Sequence, residues 1–222
     1  MNLEEFKEKI RDMKFQGAVS VAEHAAEFLV DWSKKKEFNS KEEVLKEINR
    51  LKKELTDVRP TEPAMRDTFR YVSHHIKNSD SEDYSELRKV IKRSSKQIEQ
   101  KMKGAMGRVA VYGSHMINNG DTILTHCHSH TVELMFKRAL KDDKDFKVIN
   151  TETRPLYQGR KTSKRLLDKG IDTTMIVDSA VGSYIDQVDF VVVGADAVTS
   201  SGYVINKIGT SQIAMMASEH NI

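Results

Sequence analysis

The stretch TILTHCHSHTVELMFKRALK, residues 122–141, decides the fold. It opens on a short apolar, β-branched run and continues into SHTVELMFKRALK, where apolar residues recur at helical spacing between charged ones. A strand that passes within a few residues into an amphipathic helix is half of a strand–helix–strand unit. The same grammar recurs downstream. FKVINT precedes QGRKTSKRLLDKG, TTMIVDS precedes AVGSYIDQ, and FVVVGA precedes VTSSGYVINK and a last helix, TSQIAMMASEH. Apolar runs fit for burial on both faces, each followed by a crossover, predict a parallel α/β sheet. Such sheets bind ligands beyond the carboxyl ends of their strands. Cys127, Glu152, Asp178 and Asp196 all fall at or just past a predicted strand end, so they are expected to crowd one rim.

Upstream the pattern is helical. Ser40 and Glu43 read as a capping box ahead of Val44, Ile48, Leu51 and Leu55 at helical spacing. Residues 81–102 place Tyr84, Leu87, Ile91, Ile98 and Met102 on one face. Pro60 and Pro63 in DVRPTEPAM end one helix and begin another. The fold class is therefore α/β, with an N-terminal helical domain over residues 1–105 and a Rossmann-like parallel-sheet domain over residues 106–222. The second is expected to be incomplete, because the sequence ends after a helix, where a crossover delivers the chain to a further strand.

Composition narrows the class. The 36 basic and 33 acidic residues of the 222 leave a net charge of +3, which argues against a dedicated nucleic-acid surface. The longest apolar runs are only a few residues, too short for a membrane span. The charged N-terminus has no secretory core, and a single cysteine forms no internal disulfide, so a cytoplasmic setting is expected.

In THCHSH, an extended strand would put His126, His128 and His130 on one face and Cys127 on the other. Zinc needs converging ligands, and a helix beginning near Ser129 would turn His130 away, so no metal is assigned. Position alone leaves Cys127 open between a buried packing group and a reactive thiol. A helix N-terminus just beyond it favours the thiolate. Ser129 is a candidate N-cap, leaving amides near His130 and Thr131 free for an anion such as phosphate. Asp196 is either a loop or helix-cap acceptor or a general acid facing the same rim. Arg154 and Gln158 are placed to grip an anion, and Asn206 and Lys207 form a polar cluster. There is no Walker loop and no G-x-G-x-x-G motif, and no cofactor is called for.

Taken in order, GDTILTHCHSHTVELMF, TETRPLYQGRKTSKRLLDKGI, VDSA, VGADAVTSSGYVINKIGT and QIAMMASEH resemble the superfamily of initiation factor 2B subunits and sugar-phosphate isomerases. QGAVSVAEHAA and VRPTEPAMRDTFRYV resemble that family's glycine and Arg-Pro-Thr motifs. The resemblance implies a helical and a Rossmann-like domain with substrate between them, and about another hundred residues, enough to complete the second domain. It implies that Cys127 and Asp196 carry the chemistry of an aldose–ketose isomerase acting on a pentose 1-phosphate, ribose 1,5-bisphosphate first. It further implies phosphate contacts at Gly17, Ala18, Val19, Arg59, Ser129, His130 and Thr131, substrate contacts at Asn206 and Lys207, and a homo-oligomer. Gln16 stands where the resemblance calls for an arginine. It donates hydrogen bonds but no charge, so weaker phosphate affinity or a different substrate is expected. The competing expectation is a non-catalytic regulatory subunit of the initiation-factor type, binding a sugar phosphate or nucleotide.

Overall fold

The computed structural model describes residues 1–12, 14–15, 17–60 and 62–222. Its contacts divide into two compact units, Met1–Ala105 and Met106–Ile222.

The first unit is helical: α1 (Leu3–Arg11), α2 (Ala18–Lys34), α3 (Lys41–Val58), α4 (Pro63–Lys77) and the greater part of α5 (Tyr84–His115). α2 and α3 both pack on α4, and α1 packs on α3. The spacing of Val44, Ile48, Leu51 and Leu55 sends all four into one core with Phe6, Phe28, Leu29, Phe69, Ile76 and Leu87. Each large side chain so buried is worth about 1.5–3 kcal/mol. Ser40 caps α3 by accepting from the Glu43 amide at 3.2 Å. The Glu43 carboxylate, however, takes the Asn39 amide and not that of Ser40, so the expected reciprocal box is half formed. The full box is at Asn2 and Glu5, ahead of α1. Pro63 opens α4, where a missing amide proton costs nothing.

α5 corrects the expected limits at both ends. Ser81 and Asp83 accept amides in the turn before it, and the helix begins at Tyr84. It then passes Met102, Gly107 and Gly113 without a break and ends at His115. At Gly113 an added Cβ would lie 2.7 Å from Met135 Sδ. That glycine is a packing contact and not a helix stop.

The second unit holds a four-stranded parallel sheet in the order β3-β2-β1-β4: β1 (Thr122–Thr125), β2 (Lys147–Thr151), β3 (Asp172–Ile176) and β4 (Phe190–Val192). Alternation along each strand serves two cores. Ile123 and Val148 join Val132, Phe136 and Leu166 from α6 (His130–Lys141) and α7 (Gln158–Leu167). Leu124 and Ile149 join Val181 of α8 (Val181–Tyr184) and Ile213 of α9 (Thr210–Glu219). Residues 198–207, read as a crossover, instead fall largely in a hairpin. β5 (Ala197–Val198) and β6 (Val204–Ile205) pair antiparallel across a turn containing Gly202 at φ 86°. Among the described residues no helix is long and apolar enough to cross a membrane.

Candidate active site

Cys127 lies two residues beyond the end of β1 and Asp196 four beyond the end of β4. These strands are neighbours, with Thr125 opposite Val192. In the order β3-β2-β1-β4 the chain leaves β1 toward β2 on one side and returns as β4 on the other. That junction is the topological switch point, where a parallel sheet opens a crevice beyond its strand ends.

The Cys127 backbone is left-handed, φ 68°, a conformation that costs a non-glycine residue about 1–3 kcal/mol unless its surroundings hold it. Two threonines hold it. Its amide donates to Thr153 Oγ1 at 2.9 Å, and its carbonyl accepts from Thr162 Oγ1 at 2.9 Å. Thr153 is itself left-handed, φ 62°. The Asp178 carboxylate fixes it, accepting from the amides of Thr153 (2.8 Å) and Arg154 (2.7 Å).

Burial pushes the pKa of the Cys127 thiol up, against the pull of the His128 amide and the Lys207 ammonium; the Asp196 and Asp178 carboxylates push it further up. Desolvation of a side chain 9% exposed outweighs the helix N-terminus, so the resting group is a thiol and not a thiolate. The Asp196 and Lys207 charges act on this sulfur in opposite directions.

The histidines do not share a face, because the strand ends at Thr125, before the first of them. His126 is 2% exposed; its Nε2 lies 2.7 Å from the Ile208 carbonyl and its Nδ1 2.5 Å from Thr151 Oγ1. His128 Nδ1 donates to Thr162 Oγ1 at 2.9 Å, since the hydroxyl proton already goes to the Cys127 carbonyl. His130 is exposed at the start of α6, 4.0 Å from Glu133. The three rings address three different parts of the fold, with no common ligand position.

Ser129 is the N-cap of α6, accepting from the Val132 amide at 3.3 Å. His130 and Thr131 occupy the first turn, whose amides have no carbonyl partner within the helix. A Cβ added at Gly194 would lie 2.8 Å from Ser129 Oγ and 3.8 Å from Asn206 Oδ1. The loop before Asp196, the α6 cap and Asn206 therefore meet. Asn206 is oriented by its amide nitrogen donating to Thr210 Oγ1 at 3.0 Å.

Arg154 turns onto its own loop, bonding the Tyr157 hydroxyl and stacking 4.8 Å from that ring. Glu152 pairs with Arg160 at 3.1 Å. Gln158 is 8% exposed, and among the described residues its Oε1 has no hydrogen-bond partner. A cavity of about 350 Å³ adjoins the site on the α8–α9 side, lined by His126, Asp178, Gln212, Ile213 and Met216 among others.

Within the helical unit, Gly17 caps α2 at φ 83° with no side-chain bond, leaving the Ala18 and Val19 amides in an open first turn. Arg59 donates to the Phe15 carbonyl at 3.4 Å and lies 3.5 Å from Glu62, beside this segment. Gln16 lies outside the described residues.

Sequence reasoning missed Thr151, Thr153 and Thr162. Their signal was weak: threonine is ordinary in strands, and only the fold brings residues 25–35 apart onto one loop. Asp178 was visible as a rim residue, but its clamp on Thr153 was not.

With the switch-point crevice, the capped α6 and the buried thiol in place, the class follows: the chain belongs to the Initiation factor 2 subunit family, whose model matches residues 14–222. It is 40% identical over 220 residues to the ribose 1,5-bisphosphate isomerase of Thermococcus kodakarensis, covering 98% of this chain and 68% of that protein. It is also 40% identical to the enzyme of that name from Methanocaldococcus jannaschii, covering 99% and 70%. Among solved structures, the Pyrococcus horikoshii translation initiation factor eIF-2B superposes with a TM-score of 0.87 at 27% identity, over 99% of this chain and 75% of that one.

Proposed function

We propose that this chain is a sugar-phosphate aldose–ketose isomerase that converts ribose 1,5-bisphosphate to ribulose 1,5-bisphosphate. The observation that carries the reading is that one thiol and one carboxylate follow, within four residues, the ends of two hydrogen-bonded strands at the switch point. The relatives' activity agrees with it.

A sugar phosphorylated at C1 has its aldehyde locked in the ring, so the ring opens first. The Asp196 carboxyl gives its proton to the ring oxygen as the bond from C1 to that oxygen breaks. Cys127, as thiolate, takes the C2 proton, leaving an enol across C1 and C2. The thiol returns that proton to C1, while the C2 hydroxyl proton passes back to the Asp196 carboxylate, and the ketone remains. Because burial favours the neutral thiol, the working thiolate forms when that proton leaves to solvent before the chemistry begins. Lys207 is the cation that acts in that direction.

Ser129, His130 and Thr131 offer first-turn amides to one phosphate. Asn206 and Lys207 hold the sugar near the acid. Gln158 offers a buried carbonyl to a hydroxyl, and Arg154 serves if it leaves Tyr157. Gly17, Ala18 and Val19 with Arg59 form an anion cradle of the same kind in the helical unit, and Gln16 is assigned beside it. A homo-oligomer, to be checked by light scattering, and a cytoplasmic setting go with this reading.

The test is turnover of ribose 1,5-bisphosphate, read as ribulose 1,5-bisphosphate formed. Cys127→Ser and Asp196→Asn are each expected to lower kcat by about 10²–10⁴-fold, the usual worth of a positioned acid or base. A wild type as silent as both variants, yet stabilised by the sugar phosphate, would overturn the isomerase reading in favour of a regulatory subunit.

A further inference from the structure

We infer that His126 is a positioning residue: its imidazole ties the segment bearing Asn206 and Lys207 to the threonines that hold the Cys127 main chain. The inference rests on the roles proposed above for Cys127 and Lys207.

The ring joins three segments far apart in sequence. A carbonyl only accepts, so the 2.7 Å contact with Ile208 puts the ring proton on Nε2. Burial holds the pKa of His126 below its usual value, so the ring is neutral near pH 7 and Nδ1 is an acceptor. The Thr151 hydroxyl therefore donates to it, across 2.5 Å. Thr151 Oγ1 lies 3.4 Å from Thr153 Oγ1, and Thr153 Oγ1 accepts the Cys127 amide. One hydrogen-bonded chain thus runs from the Ile208 carbonyl to the backbone of the reacting residue.

The loop on the far side is built for this approach. Gly209 sits at φ 102°, and a Cβ there would lie 3.0 Å from both Cε1 and Nε2 of His126. Glycine meets both demands at once, the left-handed backbone and the contact with the ring. Both ring nitrogens are engaged, so neither is left to exchange protons with a substrate. What the ring controls is distance. The Lys207 ammonium, one residue before Ile208, pulls the pKa of the Cys127 thiol down, while Asp196 and Asp178 oppose it. Asp178 and Lys207 are also the charges that face His126. Releasing Ile208 loosens Lys207, a cation that acts on the sulfur.

Two substitutions separate the two bonds. In His126→Gln the side-chain amide reaches as far as Nε2 and keeps a donor for Ile208. In His126→Asn it stops near Nδ1 and keeps only the Thr151 contact. Cys127 is the only cysteine, so iodoacetamide alkylation of the 222-residue chain reports it alone. His126→Asn is expected to move the alkylation midpoint to higher pH and to lower kcat/KM about tenfold, the scale of one buried hydrogen bond. His126→Gln is expected to stay within about threefold of wild type by the same reckoning.

Equal behaviour of the two variants at equal Tm, or an unmoved alkylation profile in His126→Asn, would overturn the inference. A wild type without turnover whose profile still separates Asn from Gln supports it, while removing the isomerase reading. A turning-over wild type with indistinguishable variants does the reverse. Long-range proton–nitrogen correlation of the wild-type ring needs no variant. A neutral ring protonated at Nε2 supports the inference, and a proton on Nδ1 near pH 7 overturns it.

Discussion

The helical unit and the rim of the α/β unit are built under opposite rules. In the first, the core is a single apolar cluster, and the periodic residues of α3 and α4 enter it fully buried. At the rim, the buried groups are polar: Thr125, His126, Asn150, Thr151, Thr153 and Thr162. All five non-glycine residues at positive φ among those described lie beyond residue 105, and Cys127 and Thr153 each lie two residues past a strand end. Periodicity with apolar burial makes stability. Buried hydroxyls and left-handed backbone make a shape that must be held against cost, and such features gather where chemistry is done.

This contrast breaks or sharpens with three measurements. The largest effect is expected in the helical core, where Phe69 is fully buried. Phe69→Ala should lower the unfolding free energy by about 3–5 kcal/mol in urea titration. A loss under about 1 kcal/mol would mean that the cluster is not a tightly packed core.

The next effect is electrostatic. Burial, reinforced by Lys161 and Arg165, holds the pKa of His128 at about 4, against an ordinary 6.5. Below the ordinary value the unfolded chain binds a proton that the fold refuses. Stability is therefore expected to fall as pH drops from about 6.5 to about 4, by no more than about 3 kcal/mol, and to level off below that window. His128→Asn should flatten the slope. An equal slope in both proteins would place the titrating group elsewhere.

The smallest effect is Ser129→Ala, which removes the α6 cap at a cost of about 1 kcal/mol in the same titration. It is also expected to weaken stabilisation by sugar phosphate, which a cap serving only the helix would leave intact.

Much of this could be read before folding, and the remainder has a common cause. Val44 to Leu55 announce α3 because helical burial is a local period. TILT followed by SHTVELMF announces β1 and α6, and Cys127 and Asp196 do fall just past the ends of β1 and β4. The failures are contacts across long sequence separation. The helix expected to face inward over residues 81–102 runs on to His115, and Gly113 within it packs against Met135. The turn of His130 away from His126 was legible from the helix start at Ser129, but the end of the strand at Thr125, before all three histidines, was not. The helix after Cys127 favours a thiolate and is visible in the sequence, whereas the burial that outweighs it is not.

The pairing of β1 with β4 has one more consequence. Adjacent parallel strands stand about 4.8 Å apart, and that spacing is a property of backbone hydrogen bonding which side chains cannot retune. Loops bearing the sulfur and the carboxylate rise from roots set by this gauge. Insertions in either loop would alter how a ligand enters, while the footing from which the two groups reach for it stays one strand wide.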